Sequence, residues 1–160
     1  MTDSASATRA AVRQLGVADD VYGTTLNTHV SPAATETVGQ ALANALGRPR
    51  PDRIAVWNTS DDAVLAHAVA RAAGLTVVRV ADETGVASVD PALVPGERVA
   101  LLATAWEARR LNALITLVRA TGAEVSAVLA VLDTPALRQG LSVPVLCLLP
   151  ALDAATKGSL

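Results

Sequence analysis

The stretch Gly96-Glu-Arg-Val-Ala-Leu-Leu-Ala-Thr-Ala-Trp-Glu-Ala-Arg-Arg-Leu-Asn-Ala-Leu-Ile-Thr-Leu-Val-Arg-Ala-Thr-Gly-Ala-Glu-Val-Ser-Ala-Val-Leu-Ala-Val-Leu132 decides the fold of this chain. Arg98 to Ala103 is a short apolar run that reads as a buried strand. From Trp106 to Ala120 the period changes, and Leu111, Leu114, Ile115 and Val118 fall on one side of a helix that Gly122 closes. Glu124 to Leu132 is then a second, nearly unbroken apolar strand. Strands this apolar, alternating with amphipathic helices, belong to a parallel sheet covered on both faces.

The same pattern extends upstream. Arg53 to Trp57 reads as a strand, Asp61 to Ala73 as a helix burying Val64, Leu65, Ala68, Val69 and Ala72 up to Gly74, and Leu75 to Val80 as the next strand. Before them, Pro32 to Leu46 reads as a helix with Val38, Ala41, Leu42, Ala45 and Leu46 in register. Ser31 is its N-cap, Pro32 takes the first helical position, and Gly47 and Pro49 end it. Ala81 to Glu97 is polar and contains Gly and Pro, and reads as a long loop. Downstream, Thr134-Pro135 opens a short helical turn, and Ser142 to Leu149 is a last strand, placed at the sheet edge by Pro144. Residues 1–30 form a preamble with a helix from Thr8 to Leu15 and an extended piece from Tyr22 to Val30; residues 31–160 form a single α/β domain. The expected architecture has three layers, a mostly parallel central sheet flanked by helices.

Composition narrows the function. The 160 residues are 51% hydrophobic and 18% charged with a net charge of −2, which suits one domain with a sizeable core. Thirteen Lys and Arg against 15 Asp and Glu exclude the global basicity of a nucleic-acid or anionic-membrane binder. Aromatics make up 2% (Tyr22, Trp57 and Trp106, with no Phe), so stacking platforms for bases are nearly absent. No stretch approaches the roughly 18 apolar residues of a membrane helix, the first residues lack the pattern of a signal peptide, and a cytoplasmic protein is expected. Cys147, flanked by Val145, Leu146, Leu148 and Leu149, reads as an inert thiol in a buried strand. His29 and His67 lack metal-ligand spacing, so no metal site is expected; His67 reads as a partly buried helix histidine.

From Gly96 to Val125 the sequence resembles the type I phosphoribosyltransferases, most closely their orotate branch. The likeness lies in Gly96-x-Arg98-Val99 entering a strand, the helix after it, and Arg119-Ala-x-Gly-Ala-Glu-Val125 entering the next strand; more loosely it reaches back through Asp52 to Tyr22. The resemblance implies a phosphoribosyltransferase-like fold, a homodimer and a place in nucleotide metabolism. In that family the strand ends in two adjacent carboxylates, and a Thr- and Gly-rich turn then wraps a phosphate of phosphoribosyl pyrophosphate in backbone amides. Here the carboxylate positions fall on Ala103 and Thr104, and Ala105-Trp-Glu-Ala-Arg-Arg110 follows without Gly or Thr. Such a turn lacks the residues that adopt positive φ, and Trp106 and Glu107 bring bulk and negative charge to it.

Where the family has a small pyrophosphate loop, this chain has Asn58-Thr-Ser-Asp-Asp62. Thr59 with Asp62 and Thr104 with Glu107 each fit the capping pattern in which a helix satisfies its own free N–H groups, and that pattern is also ordinary in any α/β protein. Both anion sites are thus expected to be filled from within. The candidate site is a degenerate ligand pocket comprising Trp57, Asn58, Thr59, Ser60, Asp61 and Asp62 on one loop and Ala103, Thr104, Ala105, Trp106, Glu107, Ala108 and Arg109 on the other. No catalytic residue and no cofactor is assigned. Trp106 either plugs the vacated pocket or stacks on another ligand. Arg109, Arg110 and Arg119 either solvate a helix or make a basic face, and Asp82 and Glu83 read as solvating loop acids.

Three functions follow from these residues. The first is a phosphoribosyltransferase-like protein without transfer chemistry, acting by ligand binding, regulation or assembly. The second is a working orotate-type transferase that uses Asp61, Asp62, Glu107 and Mg²⁺ in place of the family's motif. The third is a small α/β hydrolase with its site around Asn58, Asp82 and Thr104, which no Ser-His-Asp or Cys-His spacing supports.

Overall fold

A computed structural model describes residues 2–48 and 50–149. Pro49 and residues 150–160 of the expected domain lie outside the described residues. The elements run α1 (Thr2–Leu15), β1 (Val17–Asp20), β2 (Gly23–Leu26), α2 (Pro32–Ala45), β3 (Arg53–Trp57), α3 (Ser60–Ala73), β4 (Thr76–Glu83), β5 (Val86–Asp90), β6 (Arg98–Ala103), α4 (Ala108–Ala120), β7 (Glu124–Leu132), a 3₁₀ turn (Pro135–Arg138) and β8 (Val145–Leu149). Six strands make one sheet in the order β5-β4-β3-β6-β7-β8. Its neighbours pair in parallel except for the antiparallel pair β4–β5.

Because successive strand side chains alternate between faces, each central strand serves two cores. Ile54 and Val56 of β3 and Leu102 of β6 pack with Val38 and Leu42 of α2 and Leu65 and Val69 of α3. Val12 and Leu15 of α1 and Leu26 of β2 belong to that same cluster. Trp57, Leu101 and Ala103 face the other way, onto Leu111, Leu114 and Val118 of α4. The result is the expected three-layer α/β architecture with a mostly parallel sheet.

Local chemistry accounts for the element ends. Ser31 caps α2 by accepting the N–H of Ala34, with proline inside the first turn. Gly74 ends α3 in the left-handed conformation at φ 69°. The α2 and α3 backbones meet at Gly39, where a Cβ would lie 2.6 Å from the Cβ of Ala68.

Several expectations change. The helix read over Thr8–Leu15 begins at Thr2, and within the extended piece read over Tyr22–Val30 only Gly23–Leu26 is strand, as β2 of a hairpin with β1. The segment read as a loop over Ala81–Glu97 is largely a hairpin, because β4 runs on to Glu83 and β5 returns beside it. Its turn uses Thr84 and Gly85 at positive φ, and the carboxylate of Asp82 accepts the Gly85 N–H. Val64 is 46% exposed and His67 is exposed, since the buried stripe of α3 runs through Leu65, Ala66, Val69 and Ala73 instead. Cys147 is also exposed, and among the described residues β8 is an edge strand, as Pro144 predicts. Partial desolvation holds its thiol above the ordinary range.

Candidate functional site

β3 and β6 lie side by side, yet the chain leaves them in opposite directions: β3 leads through α3 to β4, and β6 leads through α4 to β7. In open parallel sheets this reversal leaves a crevice beyond the strands' carboxyl ends. Trp57 ends β3 and Ala103 ends β6, so the two loops singled out in the sequence flank that crevice.

The first loop is drawn tight by its own hydrogen bonds. Asn58 donates its N–H to the carbonyl of Val80, and the hydroxyl of Thr59 accepts the Asp62 N–H at 3.3 Å, capping α3. The two aspartates serve tertiary contacts rather than the helix end. Asp61 accepts the N–H and hydroxyl of Thr28 at 2.9 and 2.7 Å, tying the segment before α2 to α3. Asp62 is buried and accepts the Thr104 N–H at 2.8 Å. Burial pushes its carboxyl above the usual range, against the opposing pull of that N–H, the Thr59 and Thr104 side chains and the charge of Arg110.

On the second loop, the expected pairing of Thr104 with Glu107 as cap and third residue does not form. Glu107 is itself the N-cap of α4, and its two carboxylate oxygens accept the N–H groups of Arg109 and Arg110, each at 3.0 Å. These bonds, led by that from Arg109, hold the Glu107 carboxyl below its ordinary range. Thr104 is fully used elsewhere: its hydroxyl meets that of Thr25 at 2.9 Å, and its carbonyl accepts from Val131 and Leu132. The helix therefore starts at Ala108 rather than Trp106.

Trp106 packs inside, 3% exposed, and donates its indole N–H to the Leu129 carbonyl at 2.9 Å. Trp106 is thus packed against the chain itself. Trp57 donates its own indole N–H to the Arg110 carbonyl at 3.1 Å, and the Arg110 guanidinium lies 4.6 Å from the Trp57 ring centroid and 3.9 Å from that of Tyr22. Arg110 thus bridges two aromatic rings instead of solvating the helix.

These residues enclose a cleft with an accessible volume of about 20 Å³, close to that of one water molecule. Of the residues anticipated from the sequence, Trp57, Thr59, Asp62, Ala103, Thr104, Ala105, Trp106 and Glu107 line it. Asn58, Ser60, Asp61, Ala108 and Arg109 do not, and Asp61 faces Thr28 instead. Asp20, Tyr22, Thr24, Thr25 and Arg110 line it without having been anticipated as site residues. Four of these belong to the β1–β2 hairpin or its turn, whose position no periodicity reveals; the one usable signal was Tyr22, a rare aromatic in an aromatic-poor chain.

Three acids line the cleft. Asp62, Glu107 and Asp20 each spend a carboxylate oxygen on a backbone N–H. Among the described residues no three His, Cys, Asp or Glu side chains converge as a ligand set, and no helix is long and apolar enough to cross a membrane.

No protein-family model and no curated protein sequence matches the chain. Solved structures do. The adenine phosphoribosyltransferase of Thermoanaerobacter pseudethanolicus superposes with a TM-score of 0.74 at 14% identity, over 90% of this chain and 99% of that one. The orotate phosphoribosyltransferase of Mycobacterium tuberculosis, in complex with Fe(III) dicitrate, gives 0.72 at 16% identity over 98% of this chain and 99% of that one. A phosphoribosyltransferase from Corynebacterium diphtheriae gives 0.73 at 17% identity over 94% and 96%. With its six-stranded, mostly parallel sheet and the crevice between β3 and β6, the chain has the fold of the type I phosphoribosyltransferases.

Proposed function

We infer that this is a phosphoribosyltransferase-fold protein without transferase chemistry, acting by ligand binding, regulation or assembly. The observation that carries the reading is the Glu107 carboxylate lying across the N–H groups of Arg109 and Arg110. A helix start attracts anions through such free N–H groups, and here the chain supplies the anion itself. The bond from the Thr104 N–H to Asp62 removes one more donor beside the cleft, and the cleft is narrow, with an accessible volume near 20 Å³. No metal enters this reading. The resemblance adds a cytoplasmic homodimer, the latter with chains of 16.3 kDa.

Calorimetric titration with phosphoribosyl pyrophosphate and Mg²⁺, and separately with nucleoside monophosphates, tests the reading. No saturable heat is expected with the pyrophosphate. Micromolar binding of it would overturn the proposal in favour of a working transferase. Light scattering that returned the mass of a single chain would remove the homodimer.

A further inference from the structure

We propose that the β1–β2 hairpin is a strap latched over the cleft by Arg110, and that a ligand enters when the strap lifts. This rests on the reading of the cleft as a ligand site. The hairpin forms a two-stranded sheet of its own and shares no ladder with the six-stranded sheet. Its base is anchored by Leu26, which is fully buried, whereas its turn is exposed, Val21 at 90% and Tyr22 at 51%.

Two contacts join the strap to the far side of the cleft. One is the hydrogen bond between the Thr25 and Thr104 hydroxyls, and the other is the stack of Tyr22 on Arg110. The Arg110 guanidinium lies against two ring faces, Trp57 from the body and Tyr22 from the strap, and also feels the carboxylates of Asp62 and Glu107. A half-exposed cation–π contact is weak enough to open thermally. Behind it lie Thr25, Thr59, Asp62 and Thr104, and lifting the strap parts the Thr25 and Thr104 hydroxyls, freeing both for a small polar ligand. With the strap down that lining encloses space for about one water.

The test reads strap opening without a ligand, so its outcome is separate from that of the titrations. Ala103→Cys, which lines the cleft and touches neither strap contact, is placed in a Cys147→Ser background, and its labelling rate with a neutral thiol reagent is compared with Tyr22 intact, as Tyr22→Ala and as Tyr22→Phe. Labelling is expected to be roughly two- to five-fold faster in Tyr22→Ala, the opening factor of one exposed cation–π contact, at an unchanged melting temperature. Tyr22→Phe, which keeps the ring, is expected to label at the parent rate. Equal rates in Tyr22→Ala and the parent, a Phe variant as fast as the Ala variant, or a faster rate matched by a fall in melting temperature would overturn the latch. If Ala103→Cys does not fold, Ala105→Cys, which also lines the cleft, reports the same opening.

Discussion

The carboxylate of Asp62 and the backbone N–H of Thr104 meet at 2.8 Å, 42 residues apart in sequence. The bond fastens the start of α3 to the turn after β6, the two loops that frame the cleft. It also has a cost, since the acid that makes it is buried and held above its ordinary pKa.

Asp62→Ala leaves the Thr104 N–H buried without a partner, an expected loss of about 1–3 kcal/mol in urea unfolding. Asp62→Asn keeps an acceptor oxygen and removes the charge. With its native pKa raised, Asp62 binds more protons folded than unfolded, so its contribution to stability falls as pH rises from the ordinary carboxylate value through the raised one. Urea midpoints across that window are expected to shift in favour of Asp62→Asn as pH rises, and midpoints that run parallel would refute the burial argument.

Glu107 behaves with the opposite sign. Its lowered pKa contributes stability above the ordinary glutamate value that is lost as pH falls through the lowered one. Glu107→Ala is expected to cost about 0.5–2 kcal/mol at neutral pH and progressively less in acid. Freed of the carboxylate, the N–H groups of Arg109 and Arg110 would accept an anion. Inorganic phosphate should therefore raise the melting temperature of the variant more than that of the parent.

Gly39→Ala sets helix propensity against packing. Alanine favours the α2 helix by about 1 kcal/mol, but its Cβ would stand 2.6 Å from the Ala68 Cβ and 2.9 Å from the Ala68 carbonyl carbon. Backbone cannot give way as a side chain does, and overpacking of this kind costs about 1–3 kcal/mol. A net fall in thermal stability is expected, and a rise would show that α2 and α3 can separate.

Trp106→Phe removes the hydrogen bond to the Leu129 carbonyl and should cost about 0.5–1.5 kcal/mol beyond any packing change. Trp106→Ala opens a cavity beside the cleft, with an expected loss of about 3–5 kcal/mol in urea unfolding. A loss well below that range would mean that neighbouring side chains collapse into the space.

Much of the fold is legible in the residues. Arg98–Ala103 and Glu124–Leu132 are strands over the same bounds that their apolar runs predict, and Ser31-Pro32 opens α2 as capping chemistry requires. Period and caps are local, and β-strands buried on both faces leave little ambiguity. The errors occur where local pattern and tertiary context disagree. Val64 fits an apolar stripe but lies outside the buried face, and Cys147 sits in an apolar run yet is exposed. The polar segment Ala81–Glu97 becomes a hairpin because β4 offers it an edge to pair with.

At the site, the sequence alone determined that the loops after β3 and β6 carry the acids Asp61, Asp62 and Glu107, because residue types at loop positions are readable without coordinates. Which donors those acids satisfy was decided only by tertiary structure. A carboxylate accepts from whichever N–H the fold brings within about 3 Å. For Glu107 that is its own helix, and for Asp62 it is a turn 42 residues away. The stack of Tyr22, Arg110 and Trp57 had the same origin: a hairpin, a helix and a strand converge there from distant parts of the chain, and no spacing in the sequence encodes their meeting.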